Sequence, residues 1–342
     1  MRPNPVIDVH THVVPERWDD WSARHAVGPW PAIAHHDDGT ASLVVGGKAV
    51  RALETGAFKV AARLEDMDRS GVDVHAISPP PAMFCYWAEA KAARAWARMQ
   101  NEHIAALCAA YPDRFVGVAT LPMQDPALAV EELRWVRERL GLRAIEIGTF
   151  PGNRDFDDSM LFPFFEACAA LDVAVFVHPA MPVAAGDRLT RYDVREIVHY
   201  PLETTVAIAA LIFGGVLERL PRLRIGFAHG GGTIPFLLGR FDHGWTVRAH
   251  LHETAPRPPA EYVRRLYVDS LTHGAATLRL VVETMAPGAV MMGSDYPLNM
   301  GAADPVAHVR LAGLDATMRS RGRRSSTPPK MSAAMATVVS SG

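Results

Sequence analysis

Short apolar or β-branched runs recur along the chain, and an amphipathic stretch separates each run from the next. Runs of this length, bounded by turns and fed by helices, are typical of buried parallel strands. The eight runs cover residues 6–10, 74–78, 115–120, 144–148, 173–178, 224–229, 266–270 and 290–295. Eight strands alternating with helices predict an α/β fold of the (β/α)8 TIM-barrel type, although a doubly wound sheet can also use eight strands.

The first connection departs from this rhythm. After His12 the chain continues well past residue 50 before the first helical pattern, in which Val60, Leu64 and Met67 recur at helical spacing. Residues 40–54 predict a small β-hairpin insertion with two glycines at its turn. In a barrel, an insertion after the first strand would lie over the mouth formed by the carboxyl ends of the strands.

The end of the chain also differs from the rest. The strand and helix pattern predicts one domain over residues 1–313, with no second domain and no long linker. The tail, 314–342, is rich in Ser and Thr, has no sustained helical period and carries five basic and no acidic residues after Asp315. Because such a segment has little apolar surface to bury, we expect this atypical tail to be disordered.

Composition narrows the classes of protein. Hydrophobic residues make up 49% and charged residues 21%, as in ordinary globular proteins. The net charge of −2 gives no basic excess for nucleic acid or an anionic membrane surface. We expect no signal peptide and find no apolar stretch of 18 residues. Three cysteines without a CxxC pair (Cys85, Cys108, Cys168) are too few for a disulfide framework, which favours the cytoplasm.

Histidines and one aspartate follow the predicted strands. His10 and His12 point the same way, because residues i and i+2 of a strand share a face. On its own, such a pair is more often two polar residues at a strand end. However, His178 and His229 end two further strands and Asp295 ends the last. These ends converge on one face of a barrel, and three or four nitrogen and oxygen ligands with an open position suit a catalytic metal.

The segments around these residues resemble the amidohydrolase superfamily. DVHTHVVPERW, FVHP, FAHGGGTIPFLLGRFDHGW and MMGSDYP occur in the order in which that superfamily carries its motifs. Within it, the chain is most similar to the aminocarboxymuconate-semialdehyde decarboxylase branch, over about residues 5–313. The resemblance implies one divalent metal ion, usually zinc, held by His10, His12, His178 and Asp295.

The same resemblance assigns further roles. It implies that His229 acts as an acid/base residue beside the metal, while Asp295 is both ligand and part of the catalytic set. Arg51 matches an arginine on the family's insertion that meets the substrate carboxylate. Arg240 matches one that is supplied across a homodimer interface. Lys48 is a second hairpin cation that could grip an acid, although without the resemblance a solvated hairpin face is the better interpretation of Lys48 and Arg51.

We therefore expect a carboxy-lyase, a metal-dependent non-oxidative decarboxylase of an unsaturated or aromatic carboxylic acid. A metal-dependent hydrolase of a lactone, amide or ester, or a hydratase, is the main alternative, because the same metal could act on a carbonyl group. A non-catalytic binding protein is a third, against which the intact ligand set argues. The fourth strand, AIEIG, has Glu146 but no lysine to bridge two metals, which favours the decarboxylase.

Overall fold

Eight parallel strands form the predicted barrel in a computed structural model that describes residues 5–25, 28–180 and 192–314. Neighbours in the chain are neighbours in the sheet, as in a TIM barrel. The barrel strands are β1 (Ile7–His12), β5 (Val74–Ser78), β6 (Phe115–Ala119), β7 (Ala144–Gly148), β8 (Ala174–His178), β9 (Ile225–Phe227), β10 (Tyr267–Asp269) and β11 (Val290–Met291). The predicted fold class is confirmed.

Backbone hydrogen bonds join the last barrel strand to the first. Beyond β11, the amide of Asp295 donates to the carbonyl of His10 at 2.8 Å, and the amide of His12 donates to the carbonyl of Tyr296 at 2.7 Å. These bonds close the barrel at the level of the site, so the segments that carry Asp295 and the two β1 histidines are directly connected.

Helices cover the barrel, one after each barrel strand. They are α2 (Val60–Ser70), α3 (Ala90–Ala110), α4 (Pro126–Trp135), α5 (Phe162–Ala170), α6 (Tyr200–Phe213), α8 (Ile234–Val247), α10 (Ala275–Thr284) and α11 (Pro305–Leu311). Three short helices, α1 (Trp21–Arg24), α7 (Val216–Arg219) and α9 (Pro259–Val263), lie in the connections. Local sequence sets the helix ends: Gly71, for example, ends α2 in the left-handed conformation with a φ of 72°.

The insertion after β1 is a three-stranded antiparallel sheet of β2 (Pro31–His35), β3 (Ala41–Val45) and β4 (Lys48–Leu53). Gly46 and Gly47 join β3 to β4 as predicted, with φ values of 59° and 75° that a two-residue hairpin turn requires. The sequence analysis missed β2, because PAIAH has no clear alternation of apolar and polar residues. This sheet packs on a small core that includes Trp96.

One helical segment contradicts the expectation that the chain has no long apolar stretch. By length and composition alone, Arg195–Phe213 could cross a membrane, with 19 residues and a mean hydropathy of 1.3. The expectation that no such stretch exists was therefore wrong. Part of this segment is buried within the protein, since Ala207, Ile208 and Leu211 of α6 are buried. A helix that covers a barrel strand needs an apolar face of this kind.

The predicted tail lies outside the described residues, apart from Leu314. The domain boundary at residue 313 and the disorder of the tail stay predictions.

Candidate active site

The barrel mouth brings together the five predicted strand-end residues. Ligand atoms of His10, His178, His229 and Asp295 all lie within 4.8 Å of one another. His12 joins them, with its Nε2 2.9 Å from Oδ1 of Asp295. All but His229 are buried. The individual roles that the sequence analysis assigns to these residues remain predictions.

Three imidazole nitrogens converge on a single carboxylate oxygen. The Nε2 atoms of His12, His10 and His178 lie 2.9, 3.2 and 3.7 Å from Oδ1 of Asp295. Two ligands of one tetrahedral zinc-sized ion are roughly 3.4 Å apart, given metal–ligand bonds of about 2.1 Å. The spacing of this set is therefore of the right size to hold a metal ion.

The hydrogen bonds on the other side of two rings fix which nitrogen faces the site. Nδ1 of His178 lies 2.7 Å from the carbonyl of Pro179, which can only accept, so that nitrogen carries the hydrogen. Nδ1 of His10 lies 2.7 Å from the carboxylate of Asp269 and donates to it in the same way. The Nε2 atoms of both rings are buried without a hydrogen-bond partner. Ring nitrogens that face a carboxylate this closely need a positive charge between them, either a proton or a metal ion.

The electrostatics of the cluster also favour a cation. Burial lowers the pKa of His12 to about 4, with the charge of Arg51 a lesser cause, and burial lowers that of His178 to about 3. Both rings are thus in the neutral form that binds metals. Burial acts to raise the pKa of Asp295, but the charge of His10 and hydrogen bonds from the imidazoles outweigh it and hold that pKa well below its usual range.

Asp269, at the end of β10, is a site residue that the sequence analysis missed. Its carboxylate accepts hydrogen bonds from Nδ1 of His10 at 2.7 Å and from the amide of Gly230 at 2.8 Å. Metal-binding histidines almost always donate their second ring nitrogen to a group of this kind. The signal was present in the sequence, because LYVDS places a carboxylate at a strand end just as MMGSD does.

His229 is the most accessible member of the cluster. Its side chain is 18% exposed, and its Nε2 lies 3.9 Å from Oδ2 of Asp295. The glycines that follow it allow close packing: a Cβ on Gly231 would lie 2.8 Å from Val268, and one on Gly232 would lie 2.3 Å from the carbonyl of Pro201. The backbone of His229 itself is left-handed, with a φ of 58°. This strained turn directs the imidazole towards open space.

A cavity of about 980 Å³ opens above the cluster. His178, His229 and Asp295 contribute to its lining. Its described walls are mostly apolar and, apart from histidines, include six aromatic side chains, Phe84, Tyr86, Trp87, Phe150, Tyr200 and Phe236. Such walls suit a small planar molecule whose polar end reaches the cluster.

The structure separates the predicted substrate-binding cations. Arg51 lines the cavity and donates from Nη2 to Oε1 of Glu196 at 2.9 Å. Lys48 is exposed at the start of β4, next to the turn, and does not line the cavity. Arg240 is exposed on α8 and does not line the cavity of its own chain.

Glu146, the strand-4 carboxylate, is fully buried on β7. Neither of its carboxyl oxygens has a hydrogen-bond partner in the described part of the chain. Burial raises the pKa of Glu146 to about 8, so its neutral acid form predominates at pH 7. A neutral carboxylic acid is a poor metal ligand, in line with the expectation that it does not bridge two metals.

The barrel and its convergent imidazoles define a class of enzyme in which a divalent metal ion is held at the strand ends. The chain belongs to the amidohydrolase family, whose model matches residues 7–332. The 2-amino-3-carboxymuconate-6-semialdehyde decarboxylase of Dictyostelium discoideum is 38% identical over 300 residues, which cover 87% of this chain and 83% of that protein.

Solved structures show the same likeness. The 5-carboxyvanillate decarboxylase of Sphingomonas paucimobilis is 29% identical and superposes with a TM-score of 0.77, covering 93% of this chain and 97% of the other. A mutant 5-carboxyvanillate decarboxylase of Novosphingobium aromaticivorans, solved with manganese and 3-methoxy-4-hydroxy-5-nitrobenzoic acid, is 25% identical with a TM-score of 0.70, covering 77% and 78%. The expected family and its decarboxylase branch are confirmed.

The first prediction separates metal binding from proton transfer. His178→Ala removes one of the three convergent nitrogens, so we expect most of the metal and the activity to be lost together. His229→Ala should keep near-normal metal content while kcat falls by about 100-fold or more, the usual cost of losing a general acid. Metal analysis of both purified variants, alongside steady-state rates, is the measurement. Metal loss in step with activity in His229→Ala would identify His229 as a ligand instead.

The second prediction concerns Asp269. Asp269→Asn keeps the shape of the side chain but removes the charge that orients and polarises His10. We expect metal affinity, measured by competition with a chelator, to fall roughly 10- to 100-fold. Asp113→Asn, at an exposed position at the opposite end of the barrel, is the control and should bind metal normally. Equal affinities in the two variants would remove Asp269 from the site.

Proposed function

We propose that the protein is a metal-dependent non-oxidative decarboxylase of an unsaturated or aromatic carboxylic acid. The convergence of three imidazoles on Asp295, at the base of an aromatic-walled cavity, is the observation that carries the proposal. The reaction class follows that of the relatives, which are decarboxylases. We further propose that the substrate is a small planar acid, because the apolar walls suit an unsaturated or aromatic framework.

The site fits a single divalent ion, and we propose zinc. His10, His12, His178 and Asp295 would hold it, a set of three imidazoles and one carboxylate that is typical of zinc. Manganese, which the Novosphingobium enzyme contains, suits sites richer in oxygen ligands. When bound, the ion would act as a Lewis acid towards a substrate oxygen.

The chain's own residues supply the remaining steps. In a decarboxylation, the bond between the framework carbon and the carboxylate carbon breaks, CO2 leaves, and the electron pair stays on the framework carbon. That carbon must then receive a proton. His229 is the most accessible imidazole of the cluster, and histidine is the side chain that most often serves as a general acid or base. The aromatic walls would orient the plane of the substrate and limit the access of water.

Arg51 would bind an anionic group of the substrate, since a guanidinium pairs well with a carboxylate. Its position in the cavity wall supports this role. Lys48 has no such support, because it lies at the hairpin turn.

We also propose a cytoplasmic location. Cys85, Cys108 and Cys168 are all free thiols in the structure, as is usual in a reducing compartment.

A homodimer that completes the site is part of the proposal. Phe236 and Val247 on α8 are 80% and 58% exposed, and Val206 on the neighbouring α6 is 53% exposed. Exposed apolar side chains on adjoining helices favour a protein interface. Arg240 lies on α8 between the two exposed apolar residues of that helix, where a partner subunit's cavity mouth would be its target.

The third prediction tests the reaction and the metal together. Metal-loaded protein, incubated with a panel of unsaturated and aromatic acids, should release CO2 from at least one of them. Chelation should abolish the release, zinc should restore it, and manganese should restore it less well. His178→Ala serves as the inactive control. If no acid yields CO2 while lactones, amides or esters are hydrolysed, the hydrolase alternative is correct.

The fourth prediction tests the shared site. His178→Ala and Arg240→Ala should each be weak or inactive alone. In a mixed dimer, one site would carry both defects and the other neither, so an equal mixture should recover about a quarter of the wild-type sites after random exchange. Activity is measured after subunit exchange has been verified by native mass spectrometry. Exchange without recovered activity would contradict the proposal, as would a fully active monomer.

A further inference from the structure

A carboxylate of the protein itself is bound to the cation that we assign to the substrate. Arg51 lies on β4 of the insertion, and Glu196 lies 145 residues further along the chain in the helical segment Arg195–His199 that leads into α6. Their contact of 2.9 Å joins Nη2 of Arg51 to Oε1 of Glu196. Both residues line the cavity, so this ion pair lies in the wall that a substrate would touch.

Charged side chains are rare in this wall. Among the described lining residues, only Arg51, Arg195, Glu196 and Asp295 carry a formal charge other than through histidine. Glu196 is therefore the one lining carboxylate of the described chain outside the predicted ligand set. Its carboxylate occupies one guanidinium nitrogen, Nη2, so a substrate carboxylate that pairs bidentately through that nitrogen must compete with it.

The geometry of the pair shows that it can be exchanged. Only one guanidinium nitrogen and one carboxylate oxygen are in contact, whereas the strongest pairs of this kind are bidentate. The side chains of Arg51 and Glu196 are 20% and 29% exposed, so water can solvate both once they separate. Partly exposed pairs of this type contribute little to stability. A ligand that breaks this contact therefore loses little binding free energy.

A second carboxylate on the substrate would meet Glu196 directly. Two carboxylates beside one guanidinium repel each other, and the repulsion is stronger in a partly buried wall than in water. An acid with a single carboxylate at the metal cluster would leave the pair of Arg51 and Glu196 untouched. The charge of Glu196 should therefore affect the binding of acids that carry a further anionic group, and should not affect the binding of acids with a single carboxylate.

We propose that Glu196 is a specificity-determining residue that competes with the second anionic group of the substrate for Arg51. The proposal rests on the proposed function and concerns acids that carry an anionic group besides the carboxylate that is lost. Such an acid must displace Glu196, which weakens its binding and limits selection to acids whose second group fits Arg51 well.

The test compares two ligands that differ by one carboxylate. Dissociation constants of benzene-1,3-dicarboxylate and benzoate are measured by calorimetry on the metal-loaded full-length protein and on Glu196→Gln. Glu196→Gln keeps the side-chain shape and removes its charge. We expect the dicarboxylate to bind roughly two- to fivefold more tightly to the variant, the scale of a partly exposed ion pair, while benzoate binding stays unchanged.

Two further variants make the result specific. In the background Arg51→Gln, the substitution Glu196→Gln should no longer favour the dicarboxylate over benzoate, because the competition needs the guanidinium. Asp68→Asn, which breaks the surface pair with Arg114 outside the cavity, should leave both dissociation constants as in the wild type.

Other results would overturn the proposal. Weaker dicarboxylate binding to Glu196→Gln would mean that Glu196 orients Arg51 for the substrate. If Glu196→Gln tightened the binding of both ligands equally, or still tightened dicarboxylate binding in the Arg51→Gln background, the effect would come from the overall charge of the cavity and not from competition for Arg51. These binding measurements need no turnover. A protein that releases no CO2 would contradict the proposed function, but the dissociation constants would still decide whether Glu196 competes for Arg51.

Discussion

The site depends on one electrostatic constraint: the Nε2 atoms of three buried imidazoles face a single buried carboxylate oxygen of Asp295. Burial without compensation is costly for each of these groups, and mutual repulsion of acceptors adds to the cost. Neither Nε2 of His10 nor Nε2 of His178 has a hydrogen-bond partner, while their Nδ1 atoms are both held by acceptors. A positive charge at the centre, either a proton on His10 or a metal ion, relieves this repulsion; the charges of Asp295 and Asp269 raise the pKa of His10 well above its usual value against the effect of burial.

The barrel seam holds the two halves of this site in register. Asp295 follows the shortest barrel strand, and its own backbone is left-handed with a φ of 62°. Such a conformation costs about 1–3 kcal/mol and persists only where its surroundings fix it. The hydrogen bond from its amide to the carbonyl of His10 supplies part of that constraint.

A buried arginine reinforces the same seam from outside. Arg63 on α2 donates to the carbonyls of Gly56 and His12, and its guanidinium lies 4.9 Å from the ring centroid of Tyr296, next to Asp295. Burial lowers its pKa to about 10, so it remains charged at neutral pH. One side chain thus contacts the backbone of a predicted ligand on β1 and the residue after the predicted ligand beyond β11.

The sequence predicts those features of the fold and the site that leave a local pattern, and it does not predict contacts between residues far apart in the chain. Strand periodicity and strand ends are local, and they were enough to identify the eight barrel strands and the five clustered residues. Asp269 was missed because a buried aspartate at a strand end has the same local pattern whether it orients a histidine or caps a turn. The contact of Arg51 with Glu196 spans 145 residues and leaves no local pattern. Lys48 and Arg51 differ because they are three residues apart on β4, where side chains alternate between the two faces, and only Arg51 lines the cavity.

The position of Glu146 explains why the site suits one metal ion and not two. In the parallel pair of β7 and β8, Gly148 lies opposite His178, whereas Glu146 lies opposite Phe176. Two residues of strand correspond to about 6.6 Å, so Glu146 belongs to the layer below the convergent nitrogens. A divalent ion and Asp295 together would carry one net positive charge, with the carboxylate of Asp269 further out, against Nδ1 of His10. A carboxylate entering from the cavity would neutralise that charge, which is why a site of this composition favours an acid as its substrate.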